Sequence, residues 1–138
     1  MNNKLVYVTR REVFSASHRL YNKKWTEERN VEIFGKCSNV YGHGHNYVLE
    51  VTVAGTVDPE TGYVIDTKEL KKIIRENVVD KMDHKNLNMD VDFMTDVIPT
   101  AENIAIKVWE QLEDKITNGK LYSVKIYETE NNYFEFKG

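Results

Sequence analysis

The sequence predicts a single α+β domain over residues 1–138: a four-stranded antiparallel sheet in ββααββ order with two helices on one face. Three observations carry that prediction. Apolar residues alternate in runs near both ends of the chain. Two segments between those runs each carry one apolar stripe at helical spacing. With 138 residues and 41% hydrophobic content, the chain is long enough for one core and too short for two.

The first strand is expected over residues 4–17, where Leu5, Tyr7 and Val13 alternate with polar neighbours. A polar excursion follows over 21–42, with WTEERNVEIF as a short helix before the Gly35-Lys36-Cys37 loop. The second strand is expected over 45–54, with Tyr47, Leu49, Val51 and Val53 on the face of His45. Val57 to Gly62 is turn chemistry, Pro early and Gly late. The first long helix starts at Asp66 as N-cap, with Glu69 completing an arrangement like a capping box, and buries Leu70, Ile73, Ile74 and Val78. The second starts at Thr100 as N-cap after Pro99, buries Ala101, Ile104, Ala105, Val108, Trp109, Leu112 and Ile116, and stops at Asn118-Gly119. Strands over 120–128 and 133–137, joined across Glu130-Asn131-Asn132, complete the sheet. Such a sheet has two open edges and one uncovered face, so an oligomer is expected.

Composition narrows the function. A net charge of −3 with no basic stripe gives no support for a nucleic-acid partner, so none is expected, and no run approaches the roughly 18 apolar residues of a membrane span. The N-terminus lacks the apolar core of a secretory signal. One cysteine admits no intrachain disulfide and suits a reducing compartment, so a cytoplasmic location is expected.

The chemistry concentrates in FSASHRL and GKCSNVYGHGHNY, which hold His18, Cys37, His43 and His45. An H-x-H pair on a strand puts both imidazoles on one face, and a histidine from a neighbouring strand can complete a trio. Three nitrogen ligands leave a fourth position for substrate, the pattern of a catalytic zinc site. On residue chemistry alone, a metal trio and a set of packed histidines both remain open.

Five segments, FSASHRL, GKCSNVYGHGHNY, MDHKNLNMDV, PTAENIA and YETENN, resemble in order and spacing the 6-pyruvoyl-tetrahydropterin synthase family, which takes in the related 6-carboxytetrahydropterin synthases of the queuosine pathway. The resemblance spans about residues 5 to 137. It implies a tunnelling fold, in which sheets join side by side into a barrel and two trimers stack as a homohexamer. It also implies Zn2+ and a 7,8-dihydroneopterin triphosphate substrate. His18, His43 and His45 match the zinc ligands and Cys37 the catalytic cysteine. Asp83 and His84 match an acid–base pair that reaches the site from a neighbouring subunit. Glu128 matches the carboxylate that anchors the pterin, and Thr100 lies where the family contacts the ring.

These residue types suit an elimination of triphosphate coupled to proton shifts along the substrate side chain. Zinc supplies Lewis acidity toward the side-chain oxygens, and a base of near-neutral pKa is then needed. Cys37 can serve as thiolate, favoured by Lys36 and by nearby zinc, or can fill the fourth zinc position while no substrate is bound. Asp83 would fix the tautomer of His84, and since adjacent residues do not face each other in a helix or strand, the pair requires an irregular loop. Glu128 accepts two parallel donors from a pterin; Glu130 competes for that role, and the Glu-Thr-Glu-Asn register favours Glu128. Arg19, Lys36 and Lys85 read as solvated rather than as a triphosphate site.

Two products are open within the resemblance. Five residues separate Cys37 from His43, as in the pyruvoyl enzymes, whereas many carboxy enzymes have three. That spacing favours 6-pyruvoyl-tetrahydropterin, on the route to tetrahydrobiopterin, over 6-carboxy-tetrahydropterin with release of acetaldehyde. A non-catalytic pterin- or purine-binding module and an unrelated zinc hydrolase are the readings from other classes.

Overall fold

The computed structural model describes residues 4–138. Strand β1 (Val6–His18) pairs antiparallel with β2 (His43–Gly55) over their whole 13-residue lengths, from Val6 opposite Gly55 to His18 opposite His43. Alternation sets the faces: Phe14, Ala16 and His18 on β1 and His45, Tyr47 and Leu49 on β2 turn toward the helices. β1 begins two residues later than expected and runs one further, to His18, while β2 extends beyond the expected 45–54 at both ends and so takes in both histidines of the H-x-H motif.

The expectation of four antiparallel strands is corrected. The sheet has five, in the order β3-β1-β2-β4-β5, where β3 is Lys85–Asn86, β4 is Lys120–Thr129 and β5 is Asn132–Phe136. β3 runs parallel to β1, with Lys85 opposite Ala16 and Asn86 opposite Ser17. His84 N–H donates to Ser15 O at 2.6 Å and Leu87 N–H to Ser17 O at 2.8 Å, on either side of that short ladder. Two residues carry no alternation, so hydrophobic periodicity has nothing to register there. The rest of β1's outer edge, over residues 6–14, has no strand partner among the described residues.

Helix α1 (Glu27–Phe34) forms within the polar excursion, capped by Thr26 Oγ1 accepting from Arg29 N–H at 3.1 Å. Buried Asn30 ties the excursion together: its Oδ1 accepts from Asn22 N–H at 2.7 Å and its Nδ2 donates to Asn22 O and Thr26 O. A 3-10 turn over Gly35–Ser38 carries Cys37.

The two long helices cover one face. α2 (Thr67–Ile74) runs through a π-type segment (Arg75–Val79) into a last turn, α3 (Asp80–Met82). Asp66 caps it by accepting from Lys68 N–H at 2.8 Å, but Glu69 makes no return bond, so the expected reciprocal box is a one-sided cap. α4 (Ala101–Leu112) is capped by Thr100, whose Oγ1 accepts from Asn103 N–H at 3.2 Å. Its regular part ends at Leu112, short of the expected stop; Ile116 N–H still reaches Leu112 O at 3.2 Å, and Ile116 remains buried. Leu70, Ile74, Ile104, Val108 and Leu112 from the helices meet Leu49, Val51, Val124 and Ile126 from the sheet, all fully buried.

Two irregularities re-aim side chains. A bulge where β4 passes Thr52 and Val53 puts Leu121 against the core, while Tyr122 stands edge-on to Tyr7, ring centroids 4.7 Å apart. Strict alternation would put Tyr122, Val124 and Ile126 on one apolar face; with the bulge, the buried face begins at Val124. A second register shift, between Tyr127 and Thr129 against β5, brackets Glu128.

Glu12 is the one buried carboxylate among the described residues. Its Oε1 accepts from Arg75 Nε at 2.8 Å and its Oε2 from Arg10 Nε at 2.6 Å. Burial works to raise its pKa, but the hydrogen bonds and charges of Arg75 and Arg10 outweigh it and hold the carboxyl below its ordinary value. The network fastens the π-type segment to β1. Among the described residues, no helix is long and apolar enough to cross a membrane.

Candidate metal centre and active site

The β1–β2 pairing builds the centre. Because His18 stands opposite His43, and His45 opposite Ala16, the three imidazoles share the helix-facing side at one end of the sheet. Their ligand nitrogens all lie within 4.8 Å of one another, with ring centroids 4.7 to 5.1 Å apart. Gly42 makes the approach possible. It has φ +72°, and a Cβ there would sit 2.8 Å from His18 O.

Tautomers follow from the surroundings. His18 is fully buried, and its Nδ1 lies 2.7 Å from Pro99 O. A carbonyl only accepts, so Nδ1 carries the proton and Nε2 presents a lone pair inward. Tyr47 Oη lies 3.2 Å from the same Nδ1 and helps to hold the ring. The Nε2 atoms of His18 and His43 are 3.2 Å apart. Two nitrogens each about 2.0–2.1 Å from a tetrahedral zinc lie about 3.3 Å apart, so the spacing fits a shared ion. His45 Nε2 is buried without a hydrogen-bond partner, an orphan that a cation would satisfy. Burial holds the pKa of both His18 and His45 below the ordinary 6.5, against the opposing pull of Glu128. Neutral imidazoles are the ligand form, and the donor set fits Zn2+.

Glu128 joins this group from β4, its Oε1 3.7 Å from His45 Nε2. Glu130, its competitor, is exposed at the turn before β5 and makes no hydrogen bond or ion pair with the trio. Thr100 is linked to the centre through its neighbour: Pro99 gives its carbonyl to His18, while Thr100 caps α4.

Three expected site residues stand apart from the trio within one chain. Cys37 is half-buried and forms no hydrogen bond or ion pair with the histidines, although its carbonyl accepts from Leu20 N–H at 2.7 Å, two residues beyond His18. Asp83 Oδ2 and His84 Nδ1 are 3.0 Å apart, and Asp83 Oδ1 accepts from Ser15 N–H at 2.9 Å. That backbone hydrogen bond, with the neighbouring imidazole, keeps the Asp83 carboxyl below its ordinary value. The irregular loop expected for this pair is present as a left-handed His84, φ +61°. The His84 side chain is 83% exposed and borders a shallow groove of about 520 Å³ that Ser15, Ser17, His45 and Asn46 also line. Ser15 pairs with Asn46 one position away from Ala16 and His45, so their side chains lie on the sheet face opposite the trio.

Two members of the site escaped sequence reasoning. The Pro99 carbonyl is main chain and has no residue signature. Tyr47 stands two residues after His45 on the same face, a spacing that marks it as a neighbour, although its fully buried ring reads as core. Arg19 proves structural rather than solvated: its Nε donates to Ser38 O at 2.7 Å and its guanidinium lies 4.0 Å over the Tyr21 ring.

A family model described as 6-pyruvoyl tetrahydropterin synthase matches residues 7–138. The chain belongs to that family. A 6-pyruvoyl tetrahydrobiopterin synthase of Homo sapiens is 50% identical over 131 residues, 95% of this chain and 90% of the relative. One from Dictyostelium discoideum is 48% identical over 136 residues, covering 99% and 98%. The solved 6-pyruvoyl tetrahydropterin synthase of Caenorhabditis elegans superposes with a TM-score of 0.92 at 45% identity, covering 98% of this chain and 96% of that one. The family membership makes this chain an enzyme of the lyase type acting on a pterin substrate.

Proposed function

We propose that the chain is a zinc-dependent lyase that converts 7,8-dihydroneopterin triphosphate to 6-pyruvoyl-tetrahydropterin with loss of triphosphate. The convergence of three imidazoles beside one carboxylate carries the reading, and the names of relatives at 48% to 50% identity support the product. When bound, Zn2+ would supply positive charge and Lewis acidity at the substrate's side-chain oxygens.

The chain's own residues do the rest. His18, held by Pro99 O, together with His43 and His45 would keep the ion at the end of the β1–β2 ladder. Glu128 would grip the pterin by accepting from its 2-amino group and N3–H, two parallel donors that match a carboxylate. Thr100 Oγ1 is occupied as an acceptor from Asn103 N–H, which leaves its hydroxyl proton to donate to the ring. Cys37, as thiolate, would take a proton from the substrate side chain, and Asp83 would hold His84 in the tautomer that returns one. Because the side chain is oxidised as the ring is reduced, no external hydride donor is required.

Within one chain neither Asp83 nor His84 makes a hydrogen bond or ion pair with the trio, so this chemistry asks for a second copy to bring such a pair to it. A homohexamer built as a dimer of trimers is the assembly we propose, with the open edges of β1 and β5 as joining surfaces. A cytoplasmic location accords with the single free cysteine.

The test is product identification. Purified protein incubated with 7,8-dihydroneopterin triphosphate should release triphosphate and form 6-pyruvoyl-tetrahydropterin without acetaldehyde, and it should lose activity on metal removal and regain it with Zn2+. Stoichiometric acetaldehyde would instead assign the carboxy product, and full activity after metal removal would exclude the zinc reading.

A further inference from the structure

Glu128 has a second relation to the metal centre that pterin binding does not explain. Its carboxylate receives no hydrogen bond from any described residue, and its nearest partner is the orphaned Nε2 of His45 at 3.7 Å. Neither arrangement of protons satisfies that pair. A protonated Nε2 at 3.7 Å is too far for a hydrogen bond, and an unprotonated one turns a lone pair toward a carboxylate. A cation between the two satisfies both. Ligand atoms sharing a tetrahedral zinc are about 3.3 Å apart, close to the 3.7 Å between Glu128 Oε1 and His45 Nε2; Glu128 lies outside the tight group of the three imidazoles, so ligation also asks its side chain to swing toward His18 and His43.

We infer that Glu128 is the fourth protein ligand of the metal while no pterin is bound, and that it leaves the metal to grip the incoming ring. The inference rests on the zinc reading above. Its charge logic is simple. Three neutral imidazoles leave the full +2 of the ion in a partly buried pocket, and a carboxylate at ligand distance halves it. The register shift that brackets Glu128 on β4 points to a side chain aimed by a bulge rather than by simple alternation.

Cys37 is the rival fourth ligand. It lies in the 3-10 turn and forms no hydrogen bond with the trio, whereas Glu128 stands 3.7 Å from His45, though both lie outside the tight group of the three imidazoles. The exchange couples two events: pterin binding draws the carboxylate away and frees the metal position that the substrate side chain needs.

The experiment titrates Zn2+ and Co2+ into the metal-free full chain by chelator competition, with the Co2+ absorption spectrum recorded, for wild type, Glu128→Gln, Glu128→Asp and Glu130→Gln. Expected are affinities about 10- to 100-fold weaker for Glu128→Gln, intermediate for Glu128→Asp and unchanged for Glu130→Gln. A dihydropterin lacking the triphosphate should shift the wild-type Co2+ spectrum toward that of Glu128→Gln and leave the Glu128→Gln spectrum unmoved. Equal affinities for wild type and both Glu128 variants overturn the inference and leave the zinc reading standing. So does a sulfur-to-cobalt charge-transfer band in the pterin-free wild type, which would assign Cys37 instead. Failure of the wild type to bind either ion overturns both.

Discussion

His18 donates from Nδ1 to the carbonyl of Pro99 across 2.7 Å, joining the end of β1 to the residue that precedes the N-cap of α4. One hydrogen bond therefore sets a tautomer at the metal centre and fastens the second long helix to the sheet. Burial disfavours ionisation of this imidazole and holds its pKa below the ordinary 6.5.

That arrangement predicts the acid sensitivity of the metal-free protein. His18 and His45 have pKa values held below the ordinary 6.5 by burial, so the unfolded chain binds more protons than the folded one between the two values. Their contribution to stability is fully present above pH about 6.5 and is lost as pH falls below it. Thermal melts of metal-free protein should show Tm falling from pH 7 to pH 5. Saturating Zn2+ should raise Tm at pH 7 and progressively less toward pH 5, since protons compete for the same nitrogens. A flat Tm over this range would contradict the assignment.

Replacing Cys37 with alanine separates catalysis from metal binding. The residue lies in the Gly35–Ser38 turn away from the three imidazoles. Cys37→Ala should keep one zinc per chain by metal analysis and lose about 10²- to 10⁴-fold in kcat, the usual worth of a positioned base. Retained turnover would favour zinc-bound water as the agent.

Gly42→Ala should damage the centre from outside it. The added Cβ meets His18 O at 2.8 Å, and the φ of +72° disfavours any L side chain. A loss of about 1–3 kcal/mol in denaturant unfolding is expected, with zinc affinity reduced through displacement of His43. A fully stable variant with normal zinc affinity would show that this approach is not required.

Glu12→Gln tests the network remote from the site. The carboxylate is buried between Arg10 and Arg75, and its lowered pKa gives stability present above the ordinary 4.5 and lost as pH falls through the depressed value. The variant should be less stable by about 1–3 kcal/mol at pH 7, and its deficit should shrink below pH 4. Zinc content should not change.

Much of the site was legible in the chain itself because its chemistry is local. His43 and His45 share a face by strand alternation, Thr100 and Asp66 cap the helices they precede, and the five motifs that named the family carry their residue types in fixed order. The two-residue β3, the bulge that turns Tyr122 outward and the π-type segment were not legible, since each depends on what a neighbouring strand or side chain does at that point. The sequence by itself determined the α+β class, the histidine pair and the core-facing stripes, all of which follow from periodicities of two and 3.6 residues. Only the tertiary structure decided that His18 meets its partners through Pro99 and Tyr47, that Glu128 stands against His45, and that Asp83 is tied to the Ser15 backbone. Those relations join segments 29 to 83 residues apart, and at such separations contact is set by how the sheet and helices pack.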